Sequence, residues 1–319
     1  MTRIICGVDV SSQSLEARIG RQGEFASFPN TAEGITALAR FCQDGQVELV
    51  AMEATGGYEQ RAVALLWAQG LAVAILNPCG VRRFAQSMGL LEKTDKMDAG
   101  VIAWYAEVKR CSPMALSTAT QRHLRALVTR LRQLTQLRTA QRNQQRLITD
   151  SAVQGCFEEL LALLKRQIGE LEQAIATLLA QDPLWCQLNQ AFRSIKGVAD
   201  RTVARLMAEM PEIGALSHKA ISKLAGVAPL ARDSGKHQGK RTVRGGRASV
   251  REILFIVASV VARYEPDFMA FQQRLRTAGK PPKVIRIALA HKLLVRLNAK
   301  AREVRQLLAV AAPPVPLAN

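Results

Sequence analysis

Four carboxylates stand where phosphodiester chemistry would need them. Asp9 lies inside an apolar, β-rich run, Gly7-Val8-Asp9-Val10-Ser11. A charge there is costly unless it meets a cation or hydrogen-bond donors. Glu53 closes a second apolar run, in Met52-Glu53-Ala54-Thr55-Gly56-Gly57. Asp95 and Asp98 stand three apart at the start of a predicted helix and so share one face. Carboxylates converging from two strand ends and one helix offer the hard oxygen ligands that Mg²⁺ takes. Two such ions clamp the attacking and leaving oxygens of an in-line phosphoryl displacement. Each residue also has a plainer reading. Asp95 fits an N-cap, Asp98 a first-turn acid favoured by the helix dipole, Asp9 a strand-end turn and Glu53 a loop before Gly-Gly. Two carboxylates ending adjacent buried strands make the joint metal reading stronger than that of any one of the four alone.

A second group lies near the other end. Residues 232–251 read RDSGKHQGKRTVRGGRASVR and carry no acid after Asp233. Their cations are Lys236, Lys240, Arg241, Arg244, Arg247 and Arg251, and Gly235, Gly239, Gly245 and Gly246 let backbone approach a phosphate closely. Ser234 sits in this setting. A serine hydroxyl needs a base or a metal before it attacks, so a turn-forming or phosphate-contacting serine is the alternative. Upstream, Ile195-Lys196-Gly197-Val198-Ala199 followed by Arg201-Thr202-Val203-Ala204 resembles a helix-hairpin-helix. Lys196 and Gly197 are its candidate phosphate contacts. Ala199 stands where that motif usually ends in glycine, which leaves a purely structural hairpin open.

The elements that must position these residues follow from periodicity. Residues 1–110 read as α/β: strands at 3–10, 15–19, 24–28, 47–52 and 71–76, helices at 31–42 and 58–69, and a helix from Asp95 onward. Several strands before the first helix, then alternation, predict a mixed sheet with an antiparallel start. Leu124, Leu127, Leu131 and Leu134 keep heptad-like spacing, as do Leu164, Ile168, Leu171, Ile175 and Leu178. With a break at 149–155, they predict two long helices, as an antiparallel hairpin, an intermolecular coiled coil or an ordinary bundle layer. Residues 184–310 read as mostly helical, with a Gly- and Arg-rich interruption at 232–247, and the Pro-rich end at 311–319 as a flexible tail. The boundaries expected are 1–112, 113–183, 184–310 and 311–319.

Composition sets the partner class. The chain has 319 residues and a net charge of +18. Residues 1–110 carry a net −1, residues 111–183 +3 and residues 184–319 +16. A field so concentrated favours polyanions by counterion release. Aromatics at 5% argue against a base-stacking platform of the RRM kind. Six cysteines without close spacing offer no zinc pattern and no disulfide framework, as expected of free thiols in a reducing cytoplasm. Asp9 interrupts the first apolar run, and 62–76 is broken at Gln69-Gly70, so neither a signal peptide nor a membrane span is expected.

Taken together, the segments resemble the DEDD transposases of one insertion-sequence family, the bridge-RNA-guided recombinases related to Piv-type DNA invertases. The matching pieces are GVDVS at 7–11, MEATGGY at 52–58, NP at 77–78, FAQSMG at 84–89, KTDKMDA at 93–99, IKGV at 195–198, LAGVAPLARDSGK at 224–236 and VRGGRASVR at 243–251. The resemblance implies an N-terminal RuvC-like (RNase H-like) α/β domain, a helical coiled-coil insert and a mainly α C-terminal transposase domain. It implies that Asp9, Glu53, Asp95 and Asp98 bind Mg²⁺ and that Ser234 becomes covalently joined to DNA. It further implies a homo-tetramer built as a dimer of dimers, in which the serine of one subunit works with the carboxylates of another. The partners implied are double-stranded target and donor DNA and a noncoding guide (bridge) RNA. The place of action expected is the bacterial cytoplasm, at the nucleoid.

Three rivals compete with that expectation. A RuvC-type nuclease or junction resolvase would use water in place of Ser234. A nonenzymatic nucleic-acid-binding protein would not need the carboxylates. An actin-like ATPase would share a strand-borne Asp near the start, but it would need a second phosphate loop and has no use for a +16 C-terminal region.

Overall fold

Each strand of the first unit is covered on both sides or half-covered, and that pattern decides the sheet. The computed structural model describes residues 3–90, 95–114, 117–231, 233–235, 237–239 and 241–311, and only the backbone of Asp95, Lys96, Met97, His237, Gln238 and Ala311. Lys236, Lys240 and the tail from residue 312 therefore lie outside the described residues. The chain divides into two units, Met1–Leu116 and Ser117–Asn319.

In the first unit, β1 (Ile5–Val10), β2 (Ser14–Ile19), β3 (Phe25–Pro29), β4 (Leu49–Glu53) and β5 (Val73–Leu76) form one sheet in the order β3-β2-β1-β4-β5. β2 runs antiparallel to both its neighbours, and β1, β4 and β5 are parallel. This is the mixed sheet with an antiparallel start. Cys6, Val8 and Val10 of β1, with Val50 and Met52 of β4, pack under α1 (Ala32–Asp44) and α2 (Glu59–Ala68). Ile5, Leu49 and Ala51 face the other way, against α3 (Pro78–Ser87) and α4 (Asp95–Val108). The central strands are buried on both faces, which is why they read as continuous apolar runs.

Thr31 starts α1, its hydroxyl accepting from Gly34 N at 3.2 Å. Periodicity predicts a strand ending at 76 and no helix directly after it; the structure begins α3 at once, with Asn77 as its cap. Asn77 Oδ1 accepts from Cys79 N at 2.9 Å and Pro78 fills the first turn, where its missing N–H costs nothing.

Among the described residues, the second unit is helical apart from one small hairpin. α5 (Ala119–Gln145) and α6 (Ser151–Gln181) pack on each other. The break between them is 146–150, not 149–155. Asp150 Oδ1 accepts from Ala152 N and Val153 N, so the helix starts there and Gly155 falls inside it. Leu124, Val128, Leu131 and Leu134 and, opposite, Leu164, Ile168, Ile175 and Leu179 are buried in the core of the unit. Leu127, Leu171 and Leu178 are only partly covered, because a 3.6-residue turn drifts from a strict heptad. The same core takes in α7 (Pro183–Arg193), α8 (Asp200–Glu209), α9 (His218–Ala225), α10 (Ala248–Tyr264), α11 (Pro266–Thr277) and α12 (Pro282–Ala311). Among the described residues, no helix is long and apolar enough to cross a membrane.

Candidate active site

Alternation along β1 and β4 puts the first two carboxylates side by side. Ile5 is level with Leu49 and Gly7 with Ala51, on the face covered by α4. Side chains two apart share a face, so Asp9 follows Gly7 and Glu53 follows Ala51 on that side. Val8 is level with Met52, and one further step along each strand makes Asp9 and Glu53 neighbours at the strand ends. Both are half-buried. Asp9 Oδ1 accepts from Val10 N at 3.0 Å, which orients the carboxylate.

The third carboxylate arrives through a close approach. A Cβ on Gly7 would meet Ala103 N at 2.5 Å and run into Ala99 O. Only glycine lets α4 lie on β1 at this point. Asp98 precedes Ala99 and so stands within one residue of the crossing, half-buried. Asp95 begins the same helix, and its side chain lies outside the description. Among the described residues, no three Asp, Glu, His or Cys side chains form a ready-made metal cage. The donor set itself, carboxylate oxygens without sulfur or imidazole, suits a hard divalent ion such as Mg²⁺.

Two polar residues that periodicity does not reveal hold the surrounding loops. Asn30 Nδ2 donates to Ser11 O at 2.9 Å and to Tyr58 O at 3.3 Å, strapping together the loops that follow Asp9 and Glu53. Glu59 accepts from Thr55 N at 3.1 Å, Thr55 Oγ1 at 3.0 Å and Gly57 N at 2.9 Å. Burial alone would raise its pKa, but its own backbone N–H together with these donors holds the carboxyl below its usual value. The signal was local: Thr-Gly-Gly-Tyr-Glu puts a carboxylate at a helix start beside backbone donors.

Because the folded pKa is lowered, Glu59 stabilises the fold at neutral pH, and that contribution fades as pH falls through the folded value. Glu59→Gln should therefore cost about 1–2 kcal/mol at pH 7, the worth of charge-assisted hydrogen bonds. Urea unfolding followed by Trp67 and Trp104 fluorescence reads this, and the gap to wild type should narrow in acid. A gap independent of pH would show that the charge is not what holds the loop.

Ser234 lies in the second unit. β6 (Asp233–Ser234) and β7 (His237–Gln238) form a two-stranded hairpin, and Leu230 pairs with Thr242 farther out. Ser234 is exposed. Asp233 Oδ1 accepts from Arg241 Nη1 at 2.6 Å and from Gly239 N at 3.2 Å. The Arg241 hydrogen bond holds the Asp233 carboxyl below the usual range, which makes Asp233 a poor proton acceptor.

The other cations divide. Arg247 forms a fork with Glu212, 2.6 Å on each arm, and also donates to Glu209 O at 2.8 Å. It is engaged within the chain. Arg251 donates to Gly245 O at 2.6 Å, and Arg244 is exposed. Some of the +16 charge is likewise used internally: Arg302 and Arg305 donate to the carbonyls of Leu216, Ile213 and Pro211.

The turn between α7 and α8 carries Gly197 at φ +98°, and a Cβ there would press on Val261 N at 3.0 Å. Its glycine thus has a packing cause. Lys196 N donates to Glu265 Oε1 and Val198 N to Ile195 O, both at 3.0 Å, so neither of these N–H groups is left for a phosphate. The Lys196 side chain is exposed.

Comparison with known proteins bears on the whole chain. The sequence profile of a DEDD transposase domain matches residues 6–153, and that of the transposase IS116/IS110/IS902 family matches residues 189–273. The chain is 26% identical to the pilin gene-inverting proteins of Moraxella lacunata and Moraxella bovis, over 96% of this chain and 98% of each of those. Among solved structures it aligns with RuvC of Thermus thermophilus at 15% identity and a TM-score of 0.26, over 35% of this chain and 99% of that one. With two profiles of one family matching in order along its length, the chain belongs to the IS116/IS110/IS902 family of transposases.

Proposed function

We propose that this transposase is an RNA-guided DNA recombinase of an insertion sequence, cutting and rejoining strands through a phosphoserine ester at Ser234. The observation that carries the reading is the shared face of β1 and β4, where Asp9 and Glu53 end adjacent parallel strands beneath the helix that bears Asp98. We read the first unit as RuvC-like, or RNase H-like; a five-stranded sheet in which β2 alone is reversed supports that reading. Asp9, Glu53, Asp95 and Asp98 would hold Mg²⁺. When bound, the ion supplies Lewis-acid stabilisation of charge on the phosphate.

The residues of the chain do the rest. Ser234 Oγ attacks phosphorus, its bond to phosphorus forms and the bond to a deoxyribose oxygen breaks. The ester keeps the bond energy, so a deoxyribose hydroxyl can reverse the step on a second strand without ATP. Arg244, Arg251 and Lys196 meet phosphates of target DNA, donor DNA or the guide RNA, supported by the +16 charge of this part of the chain. Leu137, Leu147, Val153 and Leu163, exposed on the α5–α6 hairpin, support assembly into a tetramer.

Covalent trapping tests the reading. The protein, RNA transcribed from the flanks of its element, Mg²⁺ and labelled DNA carrying the element's ends and a target are resolved on denaturing gels. Wild type should carry label, and Ser234→Ala none. Nicked DNA without an adduct, undiminished in Ser234→Ala, would assign water as the nucleophile.

A further inference from the structure

Ser234 stands on a ribbon that no core holds. None of the described residues between 229 and 246 is buried, so its own cross-ties and its root set the direction in which the ribbon projects. The cross-ties are present. Leu230 N donates to Thr242 O at 2.9 Å, and Asp233 Oδ1 accepts from Arg241 Nη1 at 2.6 Å and from Gly239 N at 3.2 Å. These bonds join the two arms to each other, not to the rest of the unit.

The root makes that second connection. The outgoing arm leaves α9 at Gly226, φ +71°, and the returning arm enters α10 at Arg247, its N-cap residue. A Cβ on Gly246 would run into Gly226 N, and one on Gly226 into Gly245 O, so the two arms cross backbone against backbone. Arg247 N donates to Leu224 O at 2.8 Å. The Arg247 side chain then ties the root outward, to Glu212 through a fork of 2.6 Å on each arm and to Glu209 O at 2.8 Å. Glu212 is itself fixed. Arg305 of α12 donates to the carbonyls on either side of it, Pro211 O at 2.8 Å and Ile213 O at 2.9 Å, and Ile213 is buried. A bidentate pair between arginine and carboxylate sets direction as well as distance. A chain of contacts therefore runs from α12 through Glu212 and Arg247 to the base of the ribbon.

We propose that Glu212 and Arg247 are positioning residues that aim Ser234 at the scissile phosphodiester, a role that rests on Ser234 being the nucleophile. Arg247 is one of the cations that the sequence marks for a phosphate, yet both arms of its guanidinium are taken by Glu212. It holds the ribbon that carries the serine. A hydroxyl at the tip of such a ribbon amplifies any tilt at the root, and a misplacement of about 1 Å can cost 10²-fold in rate.

The test is single-turnover formation of the labelled adduct, with the same RNA, Mg²⁺ and DNA as above, read across DNA concentrations so that the saturating rate separates from DNA affinity. Arg247→Met and, as the gentler change, Glu212→Gln should lower the saturating rate about 10–10²-fold, with DNA affinity unchanged. Arg247→Lys, which keeps the charge but not the fork, should recover part of the loss. The double variant Glu212→Gln/Arg247→Met should be no slower than Arg247→Met alone, because both act through one contact. Ile168→Val, in the core of the same unit, controls for lost stability: its melting temperature should fall while its saturating rate holds. A wild-type rate in Arg247→Met and Glu212→Gln, with lowered melting temperatures, would make the fork a contact of the fold alone and overturn the proposal. Weaker DNA binding with an unchanged saturating rate would make Arg247 a phosphate contact and overturn it as well. A rate loss matched by Ile168→Val at an equal fall in melting temperature would trace the effect to stability and also overturn it. If wild type nicks DNA without an adduct, Ser234 is not the nucleophile, and the aim of its ribbon falls with it.

Discussion

Asp9→Asn should lower DNA cleavage about 10³-fold or more, because a metal ion supplies several kcal/mol of charge stabilisation and each 1.36 kcal/mol is tenfold in rate. The substitution is chosen for what it keeps. Asparagine retains a side-chain oxygen that can accept from Val10 N, as Asp9 Oδ1 does at 3.0 Å. Strand and turn are thereby preserved, and the charge alone is removed. A second readout needs no DNA. An ion that binds only the folded chain stabilises it by about 2.7 kcal/mol at a hundred times its dissociation constant. Mg²⁺ should therefore raise the melting temperature of wild type, while Asp9→Asn should show little response. Glu53→Gln should behave alike, since its strand neighbour shares the site. Glu59→Gln should differ, losing stability yet still responding to Mg²⁺, because Glu59 holds the loop rather than an ion. If Asp9→Asn cleaves DNA and responds to Mg²⁺ like wild type, Asp9 is a strand-end turn residue and the carboxylate reading fails with it.

The types of these residues were legible before any coordinates; their arrangement was not. Apolar runs around Asp9 and Glu53 announced two buried strands, and both are present. Their pairing joins residues 44 positions apart in parallel, through a connection that no local pattern encodes, so the sequence could expect the two strands to be adjacent but only the register makes Asp9 and Glu53 level. The strand end before Asn77-Pro78 was legible, but the start of α3 was not, because the same two residues end a strand and start a helix at once. The basic segment was visible as composition, but composition does not say which cations are already engaged. Glu212 lies 35 positions before Arg247 and takes its guanidinium, and Asp233 takes Arg241. Asn30 and Glu59 gave no periodic signal, since each acts through backbone groups of loops rather than through a packed face.

Gly7→Ala should cost the first unit at least about 3 kcal/mol, beyond what ordinary crowding of a core does. Overpacking is usually softened because side chains rotate away. Here the obstacles are backbone atoms of α4: Ala103 N lies 2.5 Å from the new Cβ and Ala99 O closer still. Neither can turn aside, so the helix must lift from β1. Val101, Ile102, Ala103 and Ala106 would then lose their packing on Ile5, Leu49 and Ala51. Because the clash begins at Cβ, Gly7→Val should do little more harm than Gly7→Ala, whereas crowding by side-chain bulk would separate the two. Gly20→Ala is the control. A Cβ there meets nothing within 4 Å, but φ is +63°, so its cost should be about 1–2 kcal/mol of left-handed strain. Urea midpoints from Trp67 and Trp104 fluorescence measure all three. Asp98 rides on the lifted helix, so Gly7→Ala should also lose its response to Mg²⁺ under conditions where it remains folded. A Gly7→Ala protein with the midpoint and Mg²⁺ response of wild type would mean that α4 does not need this close approach, and that Asp98 is not set by it.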